Sequence, residues 1–284
     1  MLTVPAAQAV VLEHARALAP VTRPLGAALG HVLAEDGVSD LDMPPFDKAM
    51  MDGYAVRVGD LPGGRGVLTV IEEITAGRTP TKALGAGQAA RIMTGAPIPV
   101  GTEAVVQVER TKAEGDDRVR IEDPGLSGGQ NVFLRGREMR AGDVVVTRGT
   151  LLRPQDIGVL ATVGRAEVAV VPRPTVAVLP TGDEIVEVDQ KPGPSQIRNG
   201  NGYTLAAQVE RAGGEPRPGG IVRDNLDALR RKIAASLTCD VVLLSGGVSA
   251  GKLDLVPGVL QELGVEAHFH KIEMKPGKPL FFGT

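Results

Sequence analysis

Four short stretches carry residues whose types and spacing suit one chemistry. Pro180-Thr-Gly-Asp-Glu184, Arg223-Asp224, Ser245-Gly-Gly-Val-Ser-Ala-Gly251 and Lys275-Pro-Gly-Lys278 contribute Thr181, Asp183, Glu184, Asp224, Ser245, Ser249, an adjacent pair of glycines and two ammonium groups. Gly246-Gly247 lets backbone N–H groups approach an oxyanion with no side chain in the way. A helix after that loop would add the positive end of its dipole. Carboxylates repel a phosphate directly, so acidic residues beside such a loop suggest a bridging Mg²⁺, which takes oxygen ligands. Lys275 and Lys278, on a turn stiffened by Pro276, suit an anionic ligand. The chemistry indicated is the binding of a phosphate ester or anhydride.

Each feature alone also has an ordinary structural reading. Gly-Gly after a strand is often a plain turn, and an Asp in front of a helix is usually its N-cap, which fits Asp224. Asp183 and Glu184 alone read as a solvated loop, and the two lysines as surface charge. What unites them is position. Residues 175–179, a run just before 221–222, and 241–244 read as strands, the last an apolar strand of the buried kind. Residues 203–212 read as a helix with Asn201 as N-cap and Gly213-Gly214 at its end. Leu226, Leu229, Ile233 and Leu237 recur at helical spacing, 257–263 is a third helix and 265–269 a further strand. Strands alternating with helices predict βαβ units and a mainly parallel sheet. In such sheets ligands bind outside the carboxyl ends of the strands, and the four stretches fall there.

The upstream part reads differently. A helix is predicted over 6–18, stopped by Pro20, then a Pro-rich loop over 42–52 and a strand over 54–57. Short β-type runs follow at 66–74, 104–108 and 118–121, then strand 144–146, helix 154–163 and strand 166–171. Pro172-Arg-Pro174 marks a boundary. The predicted organisation is a discontinuous helix/strand linker domain (1–40 and 140–172), a small β-rich domain (41–139) and an α/β domain (173–284). The fold class expected is therefore α/β plus β. Asp47 and Asp52 lie in a loop entering a strand, and Met93-Thr-Gly-Ala-Pro97 reads as a turn. His268 and His270 share a face but are too few for a metal site, and the lone Cys239 allows no intrachain disulfide.

With 43% apolar and 23% charged residues the chain is globular, and five Phe, two Tyr and no Trp leave it an aliphatic core. Few aromatics and a net charge of −3 argue against nucleic-acid binding. No apolar run suits a membrane span and no signal peptide is visible, so a soluble, cytoplasmic protein is expected.

Six motifs occur in order: Pro44-Pro-Phe-Asp47, Met51-Asp-Gly-Tyr-Ala-Val56, Arg91-Ile-Met-Thr-Gly-Ala-Pro97, Pro180-Thr-Gly-Asp-Glu184, Ser245-Gly-Gly-Val-Ser249 and Met274-Lys-Pro-Gly-Lys-Pro279. Together they resemble the molybdopterin molybdenumtransferases, the MoeA family that includes the C-terminal domain of gephyrin, over essentially the whole chain. The resemblance implies insertion of molybdenum from molybdate into adenylylated molybdopterin, with release of AMP and help from Mg²⁺. It implies an elongated homodimer whose active site is shared between subunits, and a molybdopterin adenylyltransferase as pathway neighbour.

Carried over by motif, the catalytic set is Asp52, Thr94, Glu184, Asp224, Asp254, Lys275 and Lys278, with Glu184, Asp224 and Asp254 at the metal. Thr181, Gly182, Ser245, Gly246, Gly247, Val248 and Ser249 would cradle the pterin phosphate. Several positions depart from the family pattern. Lys48-Ala49-Met50 stands for Asn-Ser-Ala, Glu138 for an Asp, Lys252 for a frequent acid, and Asn199-Gly-Asn201 for Asp-Ser-Asn. The chain ends at Thr284, where the family continues into the rest of the α/β domain and a β-barrel domain. A non-catalytic shortened paralogue that binds molybdopterin or acts as a dimeric scaffold is the rival expectation. An adenylyltransferase fits less well, because that class lacks the upstream Asp-Gly-Tyr-Ala motif.

Overall fold

The computed structural model describes residues 1–246 and 255–284. They form two compact units, one of Met1–Glu35, Arg148–Ile157 and Glu167–Thr284, the other of Asp36–Thr147 and Gly158–Ala166.

The second unit is built on a six-stranded sheet. In spatial order its strands are Ala104–Gln107, Gly53–Val56, Gln88–Ile92, Arg65–Ile74, Arg118–Glu122 and Thr111–Ala113. All neighbours are antiparallel except Arg65–Ile74 and Gln88–Ile92, which run parallel. Side chains alternate faces along a strand, and here both faces are covered. Ala55, Ala90, Ile92 and Val105 enter one apolar cluster, while Tyr54, Val56, Ala89, Ala104 and Val106 enter the other. Gln88–Ile92 was not foreseen, since Gln-Ala-Ala-Arg-Ile lacks the β-branched enrichment of a strand signal. Its alanines are fully buried, so their small size is what lets both layers close on the sheet.

Glycine is required at position 53. A Cβ there would lie 1.8 Å from the Val106 carbonyl oxygen on the adjacent strand.

The first unit contains the α/β layer. Strand Thr175–Pro180 lies between Glu215–Pro218 and Val241–Ser245, parallel to both. Pro216 and Pro218 are tolerated because Glu215–Pro218 is paired on one side only among the described residues. Helices Leu226–Ser236 and Val256–Glu262 pack on the sheet through Leu229, Ile233, Val256, Val259 and Leu260, which meet Leu179 and Val222. Helix Gly200–Arg211 packs against the sheet as well. A separate three-stranded antiparallel sheet joins Val21–Pro24, Glu167–Val171 and Val32–Leu33.

Several expectations are corrected here. Strand Val241–Ser245 is not fully buried. Val241 is 44% exposed, because among the described residues the strand pairs with Thr175–Pro180 alone. The strand expected over 265–269 runs Ala267–Lys271 and does not extend the parallel sheet; it forms an antiparallel hairpin with Pro279–Gly283. The first helix runs Val4–His14 rather than over 6–18. Thr3 caps its start, with Pro5 in the first turn, and Ala15 has already turned extended. It packs on the hairpin through Ala7 and Val10 against Phe269, Ile272 and Phe282. Helix Pro154–Thr162 falls where Pro154 and Gly164 indicated it. Among the described residues no helix is long and apolar enough to cross a membrane.

The contact at Gly53 makes a prediction. Gly53→Ala forces two strands apart at a fully packed position and should cost about 3 kcal/mol or more, read as a lowered midpoint in urea unfolding.

Candidate functional site

The parallel register sets Pro180 beside Ser245, so the chain leaves both strands at one edge of the sheet. Thr181 extends the pattern by one residue. Its N–H donates to the Ser245 carbonyl at 2.7 Å, and it forms a parallel bridge with Val222. The N–H of Gly182 donates to the Val222 carbonyl at 3.1 Å, and that of Val222 to the Pro180 carbonyl at 2.8 Å. Three chain segments are thus stitched together beyond the last full strand pairs. Thr181 is 1% exposed, and its hydroxyl has no hydrogen-bond partner among the described residues.

One glycine is fixed by this stitching and a second lies under a neighbouring carboxylate. At Gly246, with φ +101°, a Cβ would lie 2.3 Å from the Thr181 carbonyl oxygen and 2.8 Å from its Oγ1. At Gly182, with φ +150°, a Cβ would lie 2.3 Å from Glu184 Oε2. The Glu184 carboxylate therefore folds back over the bare α-carbon of Gly182. At Gly246 a side chain would collide with main chain, and at Gly182 the positive φ disfavours any residue with a Cβ.

The helix caps differ from expectation, and the difference bears on the site. Asn199, not Asn201, caps helix Gly200–Arg211, accepting from the Gly202 N–H at 3.0 Å. Asn201 is thereby free to donate to Ser245 Oγ at 3.1 Å, which fixes the start of this helix at the strand end. Likewise Asn225, not Asp224, caps helix Leu226–Ser236, accepting from the Ala228 N–H at 2.8 Å. The plain structural explanation of Asp224 is removed. Its backbone N–H donates to Asp183 Oδ1 at 3.2 Å. Burial pushes the Asp224 carboxyl above its ordinary value, and the charges of Asp183 and Glu184 push the same way. A backbone hydrogen bond from Asp183 and the Arg223 guanidinium oppose the rise.

Sequence reasoning passed over Arg223. Its Nη1 donates to the carbonyls of Gly182, Asp183 and Ile185 at 3.3, 2.9 and 3.0 Å. The adjacency of a cation to Asp224 was visible, but not the loop it grips.

The structure therefore brings together Thr181, Gly182, Glu184, Asp224, Ser245 and Gly246. Gly247, Val248, Ser249 and Asp254 lie outside the described residues. Lys275 and Lys278 share the hairpin turn and line a shallow pocket of about 240 Å³ with Met1, Ile272, Glu273 and Met274. Among the described residues, neither lysine makes a hydrogen bond or ion pair with Glu184 or Asp224, and no group of three or more His, Cys, Asp or Glu side chains is placed to hold a metal.

Asp52 and Thr94 meet in the other unit. Asp52 Oδ1 accepts from both the N–H and the hydroxyl of Thr94, each at 2.7 Å. The Thr94 N–H, then its hydroxyl, hold the Asp52 carboxyl below its ordinary value, with help from Arg91 and against burial. Arg91 is oriented by Tyr54, whose hydroxyl accepts from Nη1 at 3.0 Å while its ring lies 5.4 Å from the guanidinium carbon. Two short bonds fix the Thr94 loop: the Gly95 N–H donates to the Ala49 carbonyl, and the Ala49 N–H to that of Ala96. Lys48, one of the departures from the family pattern, lies 5.3 Å from the centre of the Phe133 ring, with Arg137 at 5.4 Å from the same ring. These are cation–π distances, so Lys48 has a structural partner.

Comparison with known proteins matches two stretches of the chain. Residues 2–164 match the model described as "MoeA N-terminal region (domain I and II)", and residues 177–284 match "Probable molybdopterin binding domain". A molybdopterin molybdenumtransferase of Staphylococcus aureus (strain Mu50 / ATCC 700699) is 38% identical over 272 residues, covering 94% of this chain and 64% of its own length. One from Nostoc sp. (strain PCC 7120 / SAG 25.82 / UTEX 2576) is 41% identical over 265 residues, covering 92% and 60%. The chain thus spans less than two thirds of these relatives. The crystal structure of a molybdopterin biosynthesis moea protein from Pyrococcus horikosii superposes with a TM-score of 0.86 at 34% identity, covering all of this chain and 72% of that one.

The division of labour between Asp224 and Asn225 can be tested by stability. Asn225→Ala should cost about 1 kcal/mol, the usual value of a lost N-cap. Asp224→Asn should cost nothing at neutral pH and should raise the melting temperature slightly. A carboxyl with a raised native value destabilises the fold once ionised, so the wild type loses stability as pH rises from the ordinary carboxylate value through the raised one. Melting curves of both variants at neutral and mildly acid pH check this, and the gap between Asp224→Asn and wild type should close in acid.

Proposed function

The chain belongs to the MoeA family, and from that premise we propose that it inserts molybdenum from molybdate into adenylylated molybdopterin and releases AMP in molybdenum cofactor biosynthesis. The observation that carries this reading is Glu184 acting by its charge on a partly desolvated Asp224 that caps no helix, at the strand ends where Gly182 and Gly246 pack against their neighbours.

The parts of the site divide the work. Gly182 and Gly246 let neighbouring groups close in at the strand ends, and the first turn of helix Gly200–Arg211 offers its positive end to the phosphate region of the pterin. Cleavage of the pyrophosphate link leaves growing negative charge on the departing phosphate of AMP. A site that accelerates this step must offset that charge. Lys275 and Lys278 are the cations assigned to that task. The acidic pair requires a counter-charge of its own, because mutual repulsion and burial already disfavour ionisation of Asp224. An all-oxygen donor set of one or two carboxylates suits Mg²⁺, which keeps water and phosphate oxygens in its other positions. We therefore assign Glu184 and Asp224 as the protein ligands of Mg²⁺, with Asp254 as a further candidate; the ion would polarise the phosphate oxygens.

Asp52 and Thr94 enter the reading through a dimer. In this proposal the hydrogen-bonded pair of one copy completes the site of a second. The substrate, an adenylylated pterin, is the product expected of an adenylyltransferase acting one step earlier.

The test is direct. The purified chain, given adenylylated molybdopterin, should release AMP in a molybdate-dependent manner. Asp224→Asn should reduce the rate by about 100-fold or more while remaining folded. Binding of the substrate by the wild type with no AMP release would sink the enzymatic reading and support a pterin-binding or scaffold role instead.

A further inference from the structure

The loop that carries Asp183 and Glu184 contains little regular structure. Between the end of strand Thr175–Pro180 and the short strand Ile185–Val186 it makes a turn that carries two adjacent carboxylates. Like charges at close range push such a loop open. Something must hold it closed.

Arg223 is the group that does so. Three carbonyls, of Gly182, Asp183 and Ile185, converge on its single Nη1 atom. Hydrogen bonds to a cationic donor are stronger than neutral ones, and the three acceptors bracket Glu184 on both sides in sequence. The neighbouring backbone closes the clamp from the other direction, since the Asp224 N–H donates to Asp183 Oδ1. Asp183 is thereby used as a brace. The loop carbonyls of Gly182 and Asp183 are turned toward Arg223, away from the role of free acceptors. Arg223 sits directly after Val222, whose main chain pairs with both Pro180 and Thr181. The position of its guanidinium is thus set by the sheet.

We propose that Arg223 is a positioning residue for the site: by gripping the carbonyls of residues 182, 183 and 185 it presents the Glu184 carboxylate to the same space as Asp224. The catalytic consequence rests on the function proposed above; the clamp itself does not. One feature of the geometry makes the idea discriminating. Three acceptors around one nitrogen is an arrangement that a lysine ammonium, with its three N–H donors, can also satisfy. Arg223→Lys should therefore preserve the clamp, whereas Arg223→Gln, neutral and with fewer donors, should not.

The experiment uses the full chain and two readouts. In hydrogen-exchange mass spectrometry without any ligand, Arg223→Gln should raise exchange in the peptide covering 181–187 by about tenfold, with the rest of the α/β layer unchanged. Arg223→Lys should match the wild type. In the AMP-release assay, Arg223→Gln should lower kcat by about 100-fold with KM changed far less, as expected for misplacement of a reacting group, and Arg223→Lys should restore most of it. Wild-type exchange in Arg223→Gln would overturn the proposal, as would an Arg223→Lys chain as loose as Arg223→Gln. Should Arg223→Gln unfold as a whole, Arg223→Lys decides: wild-type exchange at 181–187 supports the clamp, and raised exchange there removes it. If the wild type releases no AMP while the exchange results hold, the clamp stands and the proposed function falls.

Discussion

The parallel pairing of Thr175–Pro180 with a strand on each side is the constraint on which the site depends. Parallel strands emit their carboxyl ends at the same edge, so the segments after Pro180, Pro218 and Ser245 are forced into one neighbourhood whatever their sequence. The ladder then runs one residue further than the strands do. Thr181 bonds to Ser245 on one side and bridges Val222 on the other. That extra step brings the Gly246 α-carbon so near the Thr181 carbonyl that glycine is obligatory, and it sets the next residues of each segment within reach of one another. The acidic pair, the clamp and the helix start fixed by Asn201 all follow from it.

How much of this was legible beforehand depends on which interaction decides each feature. The alternation of strands and helices is written in hydrophobic spacing, and the rule that ligands collect at carboxyl ends needs only the strand order. Thr181, Glu184, Asp224, Ser245 and Gly246 were accordingly expected at one edge of the sheet from the chain alone, and they do converge there. The caps were not. Asp224 and Asn225 are adjacent and equally competent, as are Asn199 and Asn201 within three residues. The choice is made by where the backbone first turns helical, which depends on how the preceding segment is pinned to the sheet. Arg223 was illegible for a related reason. Its partners are main-chain carbonyls, which every residue possesses, so no residue type announces them. The full burial expected of residues 241–244 failed because an apolar run looks the same at the centre and at the margin of a sheet.

In the other unit the legibility was reversed. Motif residues were plain, but the sheet around them was half hidden. Gln88–Ile92 carries two alanines where strands usually carry bulk, and these are fully buried because both apolar layers come close there. The Asp-Gly-Tyr-Ala motif takes on physical content once the sheet is known. Gly53 admits the Val106 carbonyl, Tyr54 steadies Arg91, and Asp52 receives both donors of Thr94. Lys48 sits over the Phe133 ring that Arg137 also approaches, so this departure from the family pattern is accommodated by local packing.

Gly182 and Gly246 have a consequence for how such a site changes over evolutionary time. Each is shut in by an atom about as close as a covalent neighbour's neighbour, 2.3 Å from where a Cβ would stand. Gly246 cannot take a side chain without moving the Thr181 main chain, and Gly182 is held to glycine by its positive φ together with the Glu184 carboxylate. Sequence drift that retunes ligand preference has to pass instead through side chains at the rim, such as 184 and 224, or through the lysine-bearing turn. The packed backbone is thus frozen while the charges beside it stay negotiable.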